Sequence, residues 1–168
     1  DGRRVLSNFI SKLRNPPGRE VVLAAALHAL SEALQPKWAA IAGRDHEAEA
    51  RWLAVLPQDL SLPDPIAEAL PVALSLKRDK PVHVGPDAAW LEDLPPEHSA
   101  NIRELGVELF IPVVEGPTSV LMIILGARRS EEPYAEEDLE ILRTVAHSLE
   151  LAMARSRVSE IESGRDDQ

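Results

Sequence analysis

The sequence predicts an α+β fold in which an antiparallel sheet lies between helical layers. Two observations lead there. Apolar residues recur at helical steps near both ends of the chain. Between them, two adjacent β-branched apolar runs, residues 107–114 and 119–127, are joined by the turn Glu115-Gly116-Pro117-Thr118. Helices and strands are thus partly segregated, and the strand pairs are hairpins rather than the crossovers of a parallel sheet.

Leu6, Phe9, Ile10 and Leu13 follow helical spacing and give a short amphipathic first helix. Asn15-Pro16-Pro17-Gly18 ends it, because two prolines remove backbone donors and glycine loosens the turn. Leu23, Leu27, Leu30 and Leu34 then recur as one continuous face of a longer helix, which Pro36 stops. Residues 38–42 are short and apolar, Gly43-Arg44-Asp45 reads as a turn, and residues 51–56 complete a hairpin. Asp64-Pro65 is a helix start, with Asp as cap and Pro at the first helical position. Pro71 divides this region into a short helical turn and a second helix through Leu76.

Pro81-Val82-His83-Val84-Gly85 reads as a short strand. Pro96 opens a helix to Leu105, with Gly106 as its left-handed C-terminal cap. The runs at 107–114 and 119–127 are apolar at nearly every position, which predicts central strands covered on both faces. The last helix starts near Glu136. Leu139, Leu142, Ala146, Leu149 and Met153 form its stripe, and the polar tail from Ser163 is expected to fray.

The 168 residues carry a formal net charge of −10 and no Cys, and 45% of them are apolar. That composition suits one domain with its own core and excludes wholesale disorder. The acidic balance argues against nucleic acid as a partner, because phosphates need a basic surface. Arg3, Arg4, Lys12, Arg14 and Arg19 form a small basic cluster that reads as a solvated helix face or a membrane-proximal flank. Pro, Gly or charge breaks each apolar stretch before a membrane span is complete. No basic, apolar and small-residue leader opens the chain, and its first residue other than Met predicts a fragment of a longer protein. Without Cys there is no disulfide framework, thiolate zinc site or Cys nucleophile.

The stretch LGARRSEEPYAEEDLEIL, residues 125–142, resembles the end of a bacterial GAF domain. There a strand closing on Leu-Gly leads to a basic pair, a Pro-Tyr turn and a helix with an acidic first turn. Residues 106–114, with Pro112, resemble the family's Gly-hydrophobic-Pro-hydrophobic strand. Glu32-Ala33-Leu34-Gln35-Pro36 is similar to the family's approach to its first strand. The resemblance covers about residues 20–158. It implies a GAF-like central antiparallel sheet of five to six strands. Terminal helices would lie on one face, and a helical, irregular middle would cover the other and enclose a ligand pocket.

On this reading residues 1–18 are a linker or signalling helix, 19–158 the sensory domain, and 159–168 the start of a C-terminal linker. The basic first segment beside such a domain is similar to the region that follows the membrane section of sensor histidine kinases. Related serine phosphatases and diguanylate cyclases share it. This implies a cytoplasmic domain that meets a membrane only through flanking segments.

No nucleophile–base pair, metal set or glycine-rich phosphate loop is apparent, so no catalytic or metal residue is assigned. The five His residues, His28, His46, His83, His98 and His147, form no helical i, i+4 pair. A lone His ligates haem in some relatives, but nothing marks one here and haem is not expected. Glu136, Glu137 and Asp138 sit where a helix starts and where the macrodipole favours negative charge, which is a better account of them than acid–base chemistry. The Asn-Lys-Phe-Asp-Glu pattern of cyclic-nucleotide-binding relatives is absent. Covalent bilin attachment and GAF-fold methionine sulfoxide reductases need Cys, so neither is expected, and the cofactor is otherwise unknown.

Trp90, Leu94 and Ile102 in the middle region, with Phe110, Pro112, Met122 and Ile124 on the central strands, are the candidate lining of a noncovalent pocket. A filled core is the alternative use of the same side chains. On the last helix His147, Leu151, Ala154, Val158 and Ile161 keep heptad spacing on a face apart from the Leu139–Met153 stripe, which predicts a homodimer. The sequence therefore reads as a non-catalytic sensory module. It would bind a small molecule, or transmit signal and dimerise, within a larger signalling protein of the histidine kinase type. The alternatives are a ligand-free dimerisation spacer and the effector domain of a transcription regulator. Ala135 stands where relatives place Ser before the Glu-Glu-Asp run, which leaves Asp138 as half of a capping box.

Overall fold

The computed structural model describes residues 2–13, 18–44, 50–62, 81–84, 91–92, 94–114 and 120–166. Among these, the elements in chain order are α1 (Gly2–Lys12), α2 (Arg19–Leu34), β1 (Ala39–Arg44), β2 (Ala50–Leu56), β3 (Val82–His83), α3 (Pro96–Leu105), β4 (Val107–Val114), β5 (Val120–Gly126) and α4 (Glu136–Asp166). The strands form one antiparallel sheet in the order β2-β1-β5-β4-β3. This is the α+β architecture that the sequence predicts.

Strand alternation assigns each side chain of the central strands to a face. Leu109, Ile111 and Val113 of β4, Leu121, Ile123 and Leu125 of β5, and Ala39 and Ile41 of β1 join one buried cluster. Leu23, Leu27, Leu30 and Leu34 of α2 and Leu142, Ala146, Leu149 and Met153 of α4 complete it, with Leu139 partly buried against it. The two leucine stripes therefore bury against the sheet, as their spacing requires. Phe110 and Met122 point the opposite way, into a second cluster with Val84, Leu91, Leu94 and Ile102 of α3. Both faces are covered, which is why β4 and β5 are apolar at almost every position.

Three expectations need correction. Ile10 is 43% exposed, whereas Phe9 of the same helix and Leu13 just past its end are buried with α2 and α4. Phe9 and Leu13 lie four apart on one line, and Ile10 is a step round the helix from it. Gly43 and Arg44 belong to β1 rather than to a turn. Gly43 is paired on both sides, with Arg51 and with Leu121, and that pairing overrides its turn preference. Finally, helix α4 continues through Ser163 to Asp166 where fraying was expected. No Pro interrupts it, and a single Gly164 weakens a helix by only about 1 kcal/mol. The expected helices between Asp64 and Leu76, the turn at 115–118 and Asp45 lie outside the described residues.

The root of α4 has the half-made cap read from the sequence. The Ala135 N–H donates to Asp138 Oδ2 at 2.7 Å, and the Leu139 N–H donates to the Ala135 carbonyl at 3.1 Å. The reciprocal bond, from a first-turn amide N–H to a side-chain oxygen at 135, cannot form with Ala. Ala135 is exposed, so a hydroxyl meets no packing obstacle. Ala135→Ser should therefore stabilise the domain by about 1 kcal/mol. Thermal unfolding of the two proteins checks this, and an unchanged or lower midpoint for the Ser variant contradicts it.

Candidate functional site

The face of the sheet turned away from α1, α2 and α4 gathers most of the pocket residues that the sequence nominates. Leu94, Ile102, Phe110 and Met122 are buried together, and Ile124 is partly buried against them. Pro112 is buried on β4 with Met122 as its partner on β5, and Phe110 pairs with Ile124. Across β5, Ile124 and Met122 pair with Ala40 and Ala42 of β1, both fully buried, so the apolar floor continues onto small side chains. Trp90 lies outside the described residues.

Helix α3 is set over this floor by local chemistry. Pro96 fits its first turn, and Gly106 closes it at φ 69, a left-handed conformation that costs glycine little. The Ser99 hydroxyl, buried, donates to the Leu91 carbonyl and ties residues 91–94 to the helix. Beside the floor, a cleft of about 440 Å³ is lined by His83, Val84, Arg103, Gly106, Val107, Glu108 and Ala127. Its charged members gave no signal in the sequence, because Arg103, Glu108 and His83 come from three separate elements.

The cleft adjoins a polar corner where β5 hands over to α4. The Tyr134 hydroxyl donates to the Gly126 carbonyl at 2.7 Å in a buried position. The Arg128 guanidinium lies 6.0 Å above the centre of the Tyr134 ring and 3.6 Å from the Asp138 carboxylate. Its Nε is buried with no hydrogen-bond partner among the described residues. Burial pushes the Tyr134 phenol well above its usual pKa of 10.0, and the negative charge of Glu108 adds to the effect. Tyr134 is the one tyrosine of the chain. Its place inside the Pro-Tyr turn was the available signal for this corner, and the hydrogen bond to Gly126 was not legible.

On α4, His147 and Leu151 are exposed and Ala154 is half-buried, all on the side away from the sheet. The side chains of Val158 and Ile161 lie outside the described residues, although the helix backbone passes through both. Glu150, one position before Leu151, accepts a hydrogen bond from the Val114 N–H at 2.9 Å and so ties mid-helix to the end of β4. Among the described residues no group of three His, Cys, Asp or Glu side chains comes together to hold a metal.

Residues 18–153 match the model of the GAF domain family, so the chain belongs to that family, a sensory and regulatory fold of signalling proteins. No curated protein matches it. Among solved structures it is similar to the phycoerythrobilin-bound GAF domain of a cyanobacterial phytochrome, at 14% identity and a TM-score of 0.70, over 95% of this chain and 98% of that one. The phycocyanobilin-bound GAF domain of a cyanobacterial phytochrome follows at 15% identity and 0.67, over 95% and 97%. A domain assigned to a two-component sensor histidine kinase protein from Sinorhizobium meliloti 1021 has 23% identity and 0.59, over 86% and 96%. Identities this low carry the fold alone. They still overturn the expectation that set bilins aside for want of a Cys. The fold holds bilins in those proteins, whereas the Cys argument concerns one mode of attachment and says nothing about the cavity.

Tyr134 gives a direct test of the corner. Tyr134→Phe removes the partner of a buried carbonyl and should cost about 1–2 kcal/mol by urea unfolding at neutral pH. The pH dependence has a definite sign. The folded pKa lies above the unfolded one, so the stabilisation is complete below about pH 10 and is lost as pH rises through the folded value. The native protein should show little tyrosinate absorbance at about pH 10, where the urea-unfolded chain is half ionised. Equal ionisation in the two states would contradict the burial of this hydroxyl.

Proposed function

We propose that this GAF domain is a non-catalytic sensory module of a larger signalling protein, of the sensor histidine kinase type. It binds a small molecule over the α3 face of its sheet and passes the change to α4. One observation carries the reading: the two faces of the sheet are used unequally. Two helices, α2 and α4, seal one face with leucine stripes, and α1 packs against them. The other offers a charge-free floor of Phe110, Pro112, Met122 and Ile124, covered among the described residues by α3 and the short segment around Leu91 and Leu94.

The bilin-bound neighbours support a bilin as the ligand class. The floor suits its apolar, conjugated body, with one aromatic ring, a thioether, a proline ring and one branched side chain on a single surface. A bilin, when bound, would supply absorption of visible light; the chain's part would be to hold it and exclude water.

Transmission rests on the length of α4. Its 31 residues span about 46 Å, and the helix continues to Asp166 beyond Met153, where the family match ends. Leu151, 47% exposed, marks the seam of a homodimer on that helix. The rival is a ligand-free dimerising spacer, favoured by the tight burial of Leu91, Leu94, Phe110 and Met122 against one another.

Titration with biliverdin separates the two. A sensor should give a saturable change in visible absorbance that Met122→Trp, which fills the floor, abolishes. Sedimentation should show a dimer that Leu151→Glu converts to monomers. A dimer that leaves biliverdin unaltered decides for the spacer, and a monomer at high concentration removes the dimer from either account.

A further inference from the structure

We infer that the exposed side of α1 is a docking surface for an anionic lipid bilayer. The inference is independent of the ligand and of the dimer proposed above. It starts from how charge is divided along the chain. Five of the 18 basic residues fall in the first 19 positions, together with one of the 28 acidic residues. Helix α1 itself holds Arg3, Arg4 and Lys12 and no acid.

The structure sorts these residues by face. Helix α1 packs on α2 and α4, with Phe9 buried in their shared core and Val5 and Leu6 partly buried against it. The other side presents Arg3, Arg4 and Lys12, with Ser7, Asn8 and Ser11 between them in sequence, all exposed. Those three side chains are short and polar, so they let a phosphate approach the cations and can themselves donate to it. Ile10 stands on this exposed side too, at 43% exposure, left out of the core that takes Phe9.

Charge and shape together select the partner. The 11 residues of α1 span about 16 Å, long enough to meet several headgroups at once. A bilayer rewards both kinds of side chain found there. The cations meet headgroup phosphates and carboxylates, while an apolar side chain enters the boundary between headgroup and acyl chain. A nucleic acid would use the cations and leave Ile10 in water. The net charge of −10 does not forbid the contact. A helix is about 10 Å across and the Debye length is about 8 Å at physiological salt, so acidic groups behind α1 are screened from the membrane.

Flotation of the 168-residue chain with lipid vesicles tests the surface. The vesicles are phosphatidylcholine alone, or phosphatidylcholine with about 30% phosphatidylserine. Binding should saturate on the anionic vesicles and be absent from the neutral ones. It should fall steeply as salt rises from about 50 mM to about 500 mM, because screening shortens the reach of each charge. Arg4→Gln and Lys12→Gln should each weaken it about fivefold. Lys37→Gln removes an exposed cation that lies between α2 and β1, and should leave binding unchanged. Ile10→Ser should weaken binding without altering its salt dependence. All four positions are exposed, so each variant should keep the parent's thermal midpoint. Equal binding to neutral vesicles, no binding at low salt, or the same loss in Lys37→Gln as in the α1 variants overturns the membrane surface. Tighter binding to a DNA duplex, lost in the α1 variants, gives the face to nucleic acid and overturns it as well. Self-association that the α1 variants abolish, without vesicle binding, gives the face to a second copy of the chain and has the same consequence.

Discussion

A Cβ placed on residue 126 would fall inside the Trp38 indole, 2.6 Å from its Cδ1 and 2.8 Å from its Cε2, so only glycine lets the ring lie across the end of β5. The backbone exposed by that approach is then fully used. The Gly126 N–H donates to the Trp38 carbonyl at 3.0 Å, and the Gly126 carbonyl accepts the Tyr134 hydroxyl at 2.7 Å. One step on, the Lys37 N–H donates to the Ala127 carbonyl at 2.7 Å, and the Arg129 N–H donates to the Gln35 carbonyl at 2.9 Å. The end of α2, the start of β1, the end of β5 and the approach to α4 thus converge on a few residues. Their backbone groups are satisfied by one another.

That convergence fixes the direction in which α4 leaves the sheet. The helix is held at its root by Tyr134 and the Asp138 cap, and at mid-length by Glu150 on the Val114 amide. Between these points Leu142, Ala146, Leu149 and Met153 bury against the strands. The helix is therefore fixed at both ends of its buried stretch as well as along it. The apolar floor and the charged cleft both lie on strands that end at this clamp.

Much of the fold was legible because its signals are local. The leucine steps in α2 and α4, the left-handed glycine after α3 and the apolar strands β4 and β5 follow from periods of helix and strand. So did the half cap at Asp138, since a capping box spans four consecutive residues. Gly43 was misread because a glycine followed by charged residues looks like a turn until pairing on both sides is known. Ile10 was misread because helical spacing alone does not fix the width of the buried stripe, and Ile10 lies a step round the helix from Phe9 and Leu13. The candidate floor was found through residue type, as Phe110, Met122 and Ile124 sit on strands whose faces can be counted. Arg103, Glu108 and His83 could not be found in this way, since tertiary packing alone brings them to one cleft. Glu150 was one acid among many, and only the free amide at the end of β4 gives it a role.

The claim most open to attack is that the glycine at 126 organises the exit of α4 rather than merely tolerating a nearby tryptophan. Gly126→Ala, followed by amide hydrogen exchange and urea unfolding, tests it. The account predicts a loss of about 1–3 kcal/mol from the overpacked indole. It also predicts that the Leu139 amide, bonded to Ala135 at the helix root, loses protection before the amides of α2 do. A variant as stable as the parent, or one that loses protection evenly across α2 and α4, would show that the helix is held by its buried stripe alone.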